Sequence, residues 1–152
     1  MQLTAEQQKR VNELSQMSQP QWDAVCKQCG MCCLCKIEEQ SKKISDKIEV
    51  LYLKRCCKHF DTKTCKCTIY KNRFNNPDCR KVDINVVLNT DILPASCGYV
   101  EYIFGPAKHK PNVDFSKITP VEDDYEQKLT LKQFMKDVIY NSILWTRRNT
   151  HI

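Results

Sequence analysis

Four thiols fall within the eight residues from Cys26 to Cys33, at Cys26, Cys29, Cys32 and Cys33. This run restricts the fold more than any other feature of the chain. Two residues between Cys26 and Cys29 let both sulfurs reach one ion, and Gly30 tolerates the positive φ that turns the backbone over such a site. With Cys32 the spacing becomes that of a three-thiolate loop, a pattern also found around iron–sulfur clusters. Structural zinc more often takes two cysteines from each of two knuckles. Adjacent Cys32 and Cys33 are expected to diverge, because consecutive side chains point apart in both helix and strand. One of them is then expected to face or bridge a second metal.

Further along stand Cys57, Cys65, Cys67, Cys79 and Cys97. Cys65 and Cys67 form a tight pair that on a turn chelates one ion, and Cys97 completes a centre from a distance. Nine ligands exceed the needs of one tetrahedral ion, which leaves a polynuclear centre or two sites. The reading as metal ligands rather than disulfides rests on the expected compartment. The first residues, MQLTAEQQKRVNELSQ, contain no basic segment followed by an apolar stretch, and no long apolar run occurs later, so a cytoplasmic, non-membrane protein is expected. Closely spaced cysteines in a reducing compartment point to metal, and eleven cysteines cannot all pair within one chain.

The pattern WDAVCKQCGMCC, then CKHFDTKTCKCTIYKNRFNNPDC, then ILPASCGY resembles the bacterial YcgN/YkgJ-type cysteine-cluster proteins, described as zinc- or iron-chelating with a CxxCxxCC motif. The resemblance covers about residues 22 to 104. It implies a ligand set of Cys26, Cys29, Cys32, Cys33, Cys57, Cys65, Cys67, Cys79 and Cys97, with Tyr70, Arg73, Leu93 and Pro94 also in the pattern. Cys35 and Cys56 fall outside it and read as spare thiols. His59 sits where the pattern requires no ligand. Tyr70 and Arg73, three apart on a helical turn, are expected to hydrogen-bond or screen cluster sulfurs, which tunes a metal from outside its ligands.

The surrounding chain suggests a small, mainly α domain with irregular, metal-stabilised loops, flanked by N- and C-terminal helices. Thr4 and Gln7 have capping-box spacing ahead of Val11, Leu14 and Met17, which predicts a helix over residues 4 to 18 within an N-terminal segment 1–20. A cysteine-cluster domain follows at 21–104. Within it KIEVLYLK, Lys47 to Lys54, fits a short strand or a helical turn, and Asp83 to Asn89 reads as a short helix. Residues 105–127 contain three prolines and scattered charge and read as an exposed linker. Leu131, Phe134, Met135, Val138, Ile139 and Ile143 then predict an amphipathic helix over 128–152, able to dock on this chain or on a protein partner.

Charge narrows the function classes. Residues 36 to 81 hold thirteen Lys and Arg against six Asp and Glu, so the basic surplus lies among the cysteines, where cations favour thiolates. No recognition helix or RNP-like aromatic pattern accompanies it, and nucleic acid is not an expected partner. Gly-rich nucleotide loops, HExxH and a serine nucleophile elbow are all missing, so no catalytic motif is readable. The expected function is metal binding through an iron–sulfur cluster, favoured over zinc by the three-cysteine run and the excess of sulfur. An iron–sulfur enzyme or electron carrier, and a zinc-stabilised binding module, are the alternatives.

Overall fold

A computed structural model describes residues 2–41, 47–76, 79, 81–89, 92–108, 110, 112–121, 136 and 138–141. Its elements run as two helices, four strands, two helices and two strands: α1 (Ala5–Ser15), α2 (Gln19–Val25), β1 (Leu34–Ser41), β2 (Lys47–Cys56), β3 (Phe60–Asp61), β4 (Lys66–Cys67), α3 (Ile84–Asn89), α4 (Gly98–Phe104), β5 (Thr119–Pro120) and β6 (Val138–Asn141), with 3-10 turns at Met31–Cys33, Tyr70–Asn75 and Phe115–Lys117. The expectation of a mainly α protein is therefore corrected to a mixed fold with two sheets. The physical reason lies in β2. Its Val50, Leu51, Tyr52 and Leu53 are all buried, so the segment is a strand covered on both faces and shows no period-two alternation.

Every pairing of the larger sheet runs through β2. β1 lies antiparallel to it, β5 is parallel at Arg55–Thr119 and Cys56–Pro120, and β6 is antiparallel at Leu51–Asn141, Tyr52–Tyr140 and Leu53–Val138. The register of β1 on β2 slips between Leu34 and Lys36, at Cys35. Of the predicted C-terminal helix at 128–152, only Lys136 and 138–141 are among the described residues, and 138–141 are a strand. Pairing with β2 overrides the helical spacing of Val138 and Ile139 there. The predicted linker likewise contributes structure, since Ile118 is buried in the core beside β2 and β5 pairs with that strand.

The N-terminal helix forms as expected. Thr4 Oγ1 accepts from the Gln7 N–H at 3.1 Å, and Gln7 Oε1 accepts from the Thr4 N–H at 2.9 Å, so two donors at the helix start are satisfied reciprocally. Ser18 and Gln21 repeat the device for α2. Pro20 therefore begins a second helix, where its missing N–H costs nothing, instead of ending the first.

Two apolar cores result. Val11 and Leu14 of α1, Val86 and Val87 of α3, and Tyr99, Val100 and Ile103 of α4 form one, together with Leu93 and Cys97. Met31, Leu34, Val50, Tyr52, Cys56, Phe60 and Ile118 form the other. Half-buried Ile92 packs on both, and its carbonyl accepts a hydrogen bond from the Tyr52 hydroxyl. Among the described residues, no helix is long and apolar enough to cross a membrane.

Candidate metal centre

The cysteine run leaves the end of α2 and enters β1 at the seam between the two cores. Cys26 caps α2 in an extended conformation, and its sulfur accepts from the Gln28 N–H at 3.4 Å. Gln28 and Gly30 both take positive φ, 54° and 78°, as the sequence requires at Gly30. A Cβ on Gly30 would lie 2.7 Å from the Phe60 ring and 3.0 Å from that of Phe115. The loop is therefore folded tightly onto the sheet core, with buried Met31 as its anchor.

Separate elements bring the remaining cysteines towards this loop. The Cys57 N–H donates to the Cys33 carbonyl at 2.8 Å, which ties the end of β2 to the run. Cys67 enters through its pairing with Phe60 in the β3–β4 hairpin. The Asp61 carboxylate accepts the Lys63 N–H at 2.9 Å and helps to close that hairpin. Cys79 is held by its N–H to the Asn76 carbonyl at 3.1 Å. Cys97 caps α4, and α4 approaches α2 because Gly98 has no side chain: a Cβ there would lie 2.1 Å from the Val25 carbonyl oxygen. That contact sets Cys97 beside the stretch that begins with Cys26.

Cys32 is the hub. Cys26, Cys29, Cys79 and Cys97 all lie within its electrostatic reach. Cys33 is in the field of Cys67, and Cys79 in the fields of Cys67 and Cys57. Eight of the nine expected ligands are thus grouped. Cys65, in the β3–β4 turn with φ of 55°, directs its thiol to the Thr62 carbonyl at 3.8 Å. Cys32 and Cys33, expected to diverge, stand where a 3-10 turn passes into a strand, close enough for each thiol to alter the other's ionisation. The neighbouring Cys33 thiol brings that of Cys32 down to about 6 against the opposing effect of burial, with Lys36 and Arg73 assisting. The Cys33 thiol is correspondingly raised. Burial pushes up the Cys26, Cys79 and Cys97 thiols, the last to about 12, and like charge at Cys32 adds to each rise.

Two cations face this group. Arg73 acts on Cys26, Cys32 and Cys79. Its guanidinium pairs with Asp23 at 3.1 Å, donates to the Tyr70 carbonyl at 2.6 Å, and lies 4.0 Å from the Tyr70 ring centre and 4.3 Å from that of Phe74. Tyr70 thus holds Arg73 in place. Lys36 donates from Nζ to the Cys32 and Leu34 carbonyls at 3.0 and 2.7 Å. Asp23 and Lys36 were not singled out from sequence, where the basic surplus around the cysteines was the sole signal. Cys56, outside the pattern, is buried in the sheet core and raised to about 11 by that burial, with Cys35 and Cys57 close enough to add to it. His59 is half-buried, and its carbonyl accepts from Thr68.

None of the eleven cysteines forms a disulfide. Among the described residues, no three His, Cys, Asp or Glu side chains converge tightly enough to enclose one ion. The chemistry of the donor set nevertheless suits a thiophilic metal: soft sulfur ligands in excess, drawn from five segments, with Lys36 and Arg73 to offset their negative charge.

No family model and no solved structure matches the chain. Similar proteins include a UPF0260 protein of Gluconobacter oxydans, 40% identical over 87 residues that make up 57% of this chain and 50% of the relative. A UPF0260 protein of Pseudomonas putida is 38% identical over 91 residues, 59% of this chain and 58% of the relative. One of Rhizobium johnstonii is 38% identical over 87 residues, 57% of this chain and 52% of the relative. The chain spans about half the length of the curated relatives it matches. Their family name differs from the YcgN/YkgJ type suggested by the cysteine spacing, and that resemblance is corrected accordingly: over more than half of its length, this chain is similar to UPF0260 proteins.

Proposed function

We propose that this protein binds metal through a pool of thiolates drawn from Cys26, Cys29, Cys32, Cys33, Cys57, Cys65, Cys67, Cys79 and Cys97, in a reducing cytoplasmic setting. What supports this reading is the Cys26–Cys33 run turned back at Gln28 and Gly30, tied to Cys57 by its N–H bond to the Cys33 carbonyl, with Cys26, Cys29, Cys79 and Cys97 near enough to Cys32 to feel its charge. Burial raises the cost of deprotonating Cys26, Cys29, Cys79 and Cys97, like charge at Cys32 adds to it, and a multivalent cation relieves that cost. Lys36 and Arg73 supply part of the compensation and would remain outside the ligand shell, Arg73 steadied by Asp23 and Tyr70.

An iron–sulfur cluster is the preferred occupant, because the donors outnumber those of a single tetrahedral zinc. Such a cluster would supply a redox-active or purely structural centre. Two zinc ions are the second reading, which adjacent cysteines and the number of ligands also suit. Purification without oxygen, followed by an absorption spectrum and assay of iron, zinc and acid-labile sulfide, separates them. Broad absorption near ~400 nm with stoichiometric iron and sulfide is expected. Colourless protein with zinc would transfer the assignment to the second reading, and protein without either metal would overturn both.

A further inference from the structure

Beside the cysteine loop lies a cleft of about 240 Å³. Met31, Val113 and Phe115 form its apolar wall, Cys29 another edge, and Lys27, Lys110 and Ser96 supply its polar groups. Ser96 is the informative residue. It is 8% exposed and lines the cleft, yet its hydroxyl has no hydrogen-bond partner among the described residues. A buried hydroxyl without a partner is costly, and its usual explanation is a ligand or ordered water.

The charges around the cleft indicate what that ligand is. Lys27 is paired with Glu101, which does not line the cleft. Lys110, exposed at the rim, makes no ion pair or hydrogen bond among the described residues, although Glu101 is in its field. Two ammonium groups against one carboxylate leave the cleft with a positive surplus above an apolar wall. Small-ligand sites combine an apolar lining with a few placed polar groups in this way.

We propose that this cleft binds a small organic monocarboxylate, its carboxylate received by Lys110 Nζ and Ser96 Oγ and its short apolar body lying along Met31, Val113 and Phe115. The volume limits the body to a handful of carbons. The cleft shares Cys29 with the proposed ligand set, whereas Lys110 and Ser96, which would receive the carboxylate, lie outside that set.

Hexanoate is a suitable probe, titrated into the full-length chain as purified and followed by calorimetry, with neutral hexanamide of the same length alongside. Saturable one-to-one binding of hexanoate is expected, about tenfold tighter than that of hexanamide. Lys110→Glu, at an exposed position that leaves the fold intact, should weaken hexanoate by at least about tenfold, and Ser96→Ala by roughly threefold or more, from loss of one charge-assisted hydrogen bond. Lys108→Glu, a charge reversal outside the cleft, should leave binding nearly unchanged. Equal binding of hexanamide, an unaltered Lys110→Glu, an equal loss in Lys108→Glu, or no saturation by hexanoate would each overturn the proposal.

Discussion

Around Val87 and Val100, both fully buried, α1, α3 and α4 meet through aliphatic side chains and the stacked rings of Trp22 and Tyr99, 4.5 Å apart. Around Tyr52 and Cys56, also fully buried, the sheet core is bordered by Cys33, Cys57 and Cys65. The first region is held mainly by apolar burial, with Cys97 inside it and Cys26 packed against it. The second gives up part of its apolar border to thiols, in loops and two-residue strands that bury little on their own. On the proposed metal reading, the difference indicates where metal would matter: the helical core would stand without it, and the cysteine-bordered half would depend on it.

Removing metal should separate the two halves most sharply. Binding free energies of structural sites run to roughly 10 kcal/mol, above typical domain stability, so chelation or Cys32→Ser should unfold residues 26–79 first. Hydrogen exchange resolved along the chain would detect this as lost protection in β3 and β4 while α1 and α4 retain theirs. Uniform loss would erase the distinction between the halves. The converse change is Leu14→Ala, where a side chain 1% exposed is cut back in the helical core. It should cost about 2–5 kcal/mol in denaturant unfolding while leaving the metal content of the remaining folded protein unchanged.

Gly98→Ala tests the joint between the halves. A methyl group driven against the Val25 carbonyl must push α4 away from α2, at a cost of about 1–3 kcal/mol, and should loosen metal retention as Cys97 withdraws. Arg73→Ala is expected to cost less, about 1 kcal/mol, because its pair with Asp23 is partly open to solvent. Its clearer signature should be faster loss of metal to a chelator, with Arg73→Lys intermediate because the stacking on Tyr70 is lost. The smallest effect concerns pH. Burial opposes ionisation of Glu101, but the Lys27 ammonium and the Ala107 N–H outweigh it and hold the carboxyl below its usual range. Its contribution to stability is therefore complete above about pH 4.3, the ordinary glutamate value, and is lost as pH falls through the depressed folded value. Glu101→Gln should flatten that part of the acid unfolding curve.

Local rules were legible in the sequence where they act alone. The Thr4–Gln7 capping box, the left-handed Gly30, the short helix after Asp83 and the turn carrying Tyr70 and Arg73 all follow from neighbouring residues. Long-range pairing was not legible. A run such as VLYL satisfies a buried strand and a helical turn equally, and only its covering on both faces decides between them. Val138–Asn141 obeys a helical spacing until β2 offers it an edge. The candidate site divides similarly. The cysteine positions stand out from spacing, whereas Asp23 reaches Arg73 across fifty positions, and Cys32 and Cys33 sit at a change of backbone type that spacing does not show.

The central claim, that sulfur from this cysteine group holds a metal, is tested most directly by X-ray absorption at the metal edge of protein purified without oxygen. The account predicts a first shell composed of sulfur at about 2.3 Å, with a metal–metal distance in addition if the centre is polynuclear, and loss of that shell in Cys32→Ser. A first shell dominated by oxygen or nitrogen, or an unchanged shell in Cys32→Ser, would contradict it.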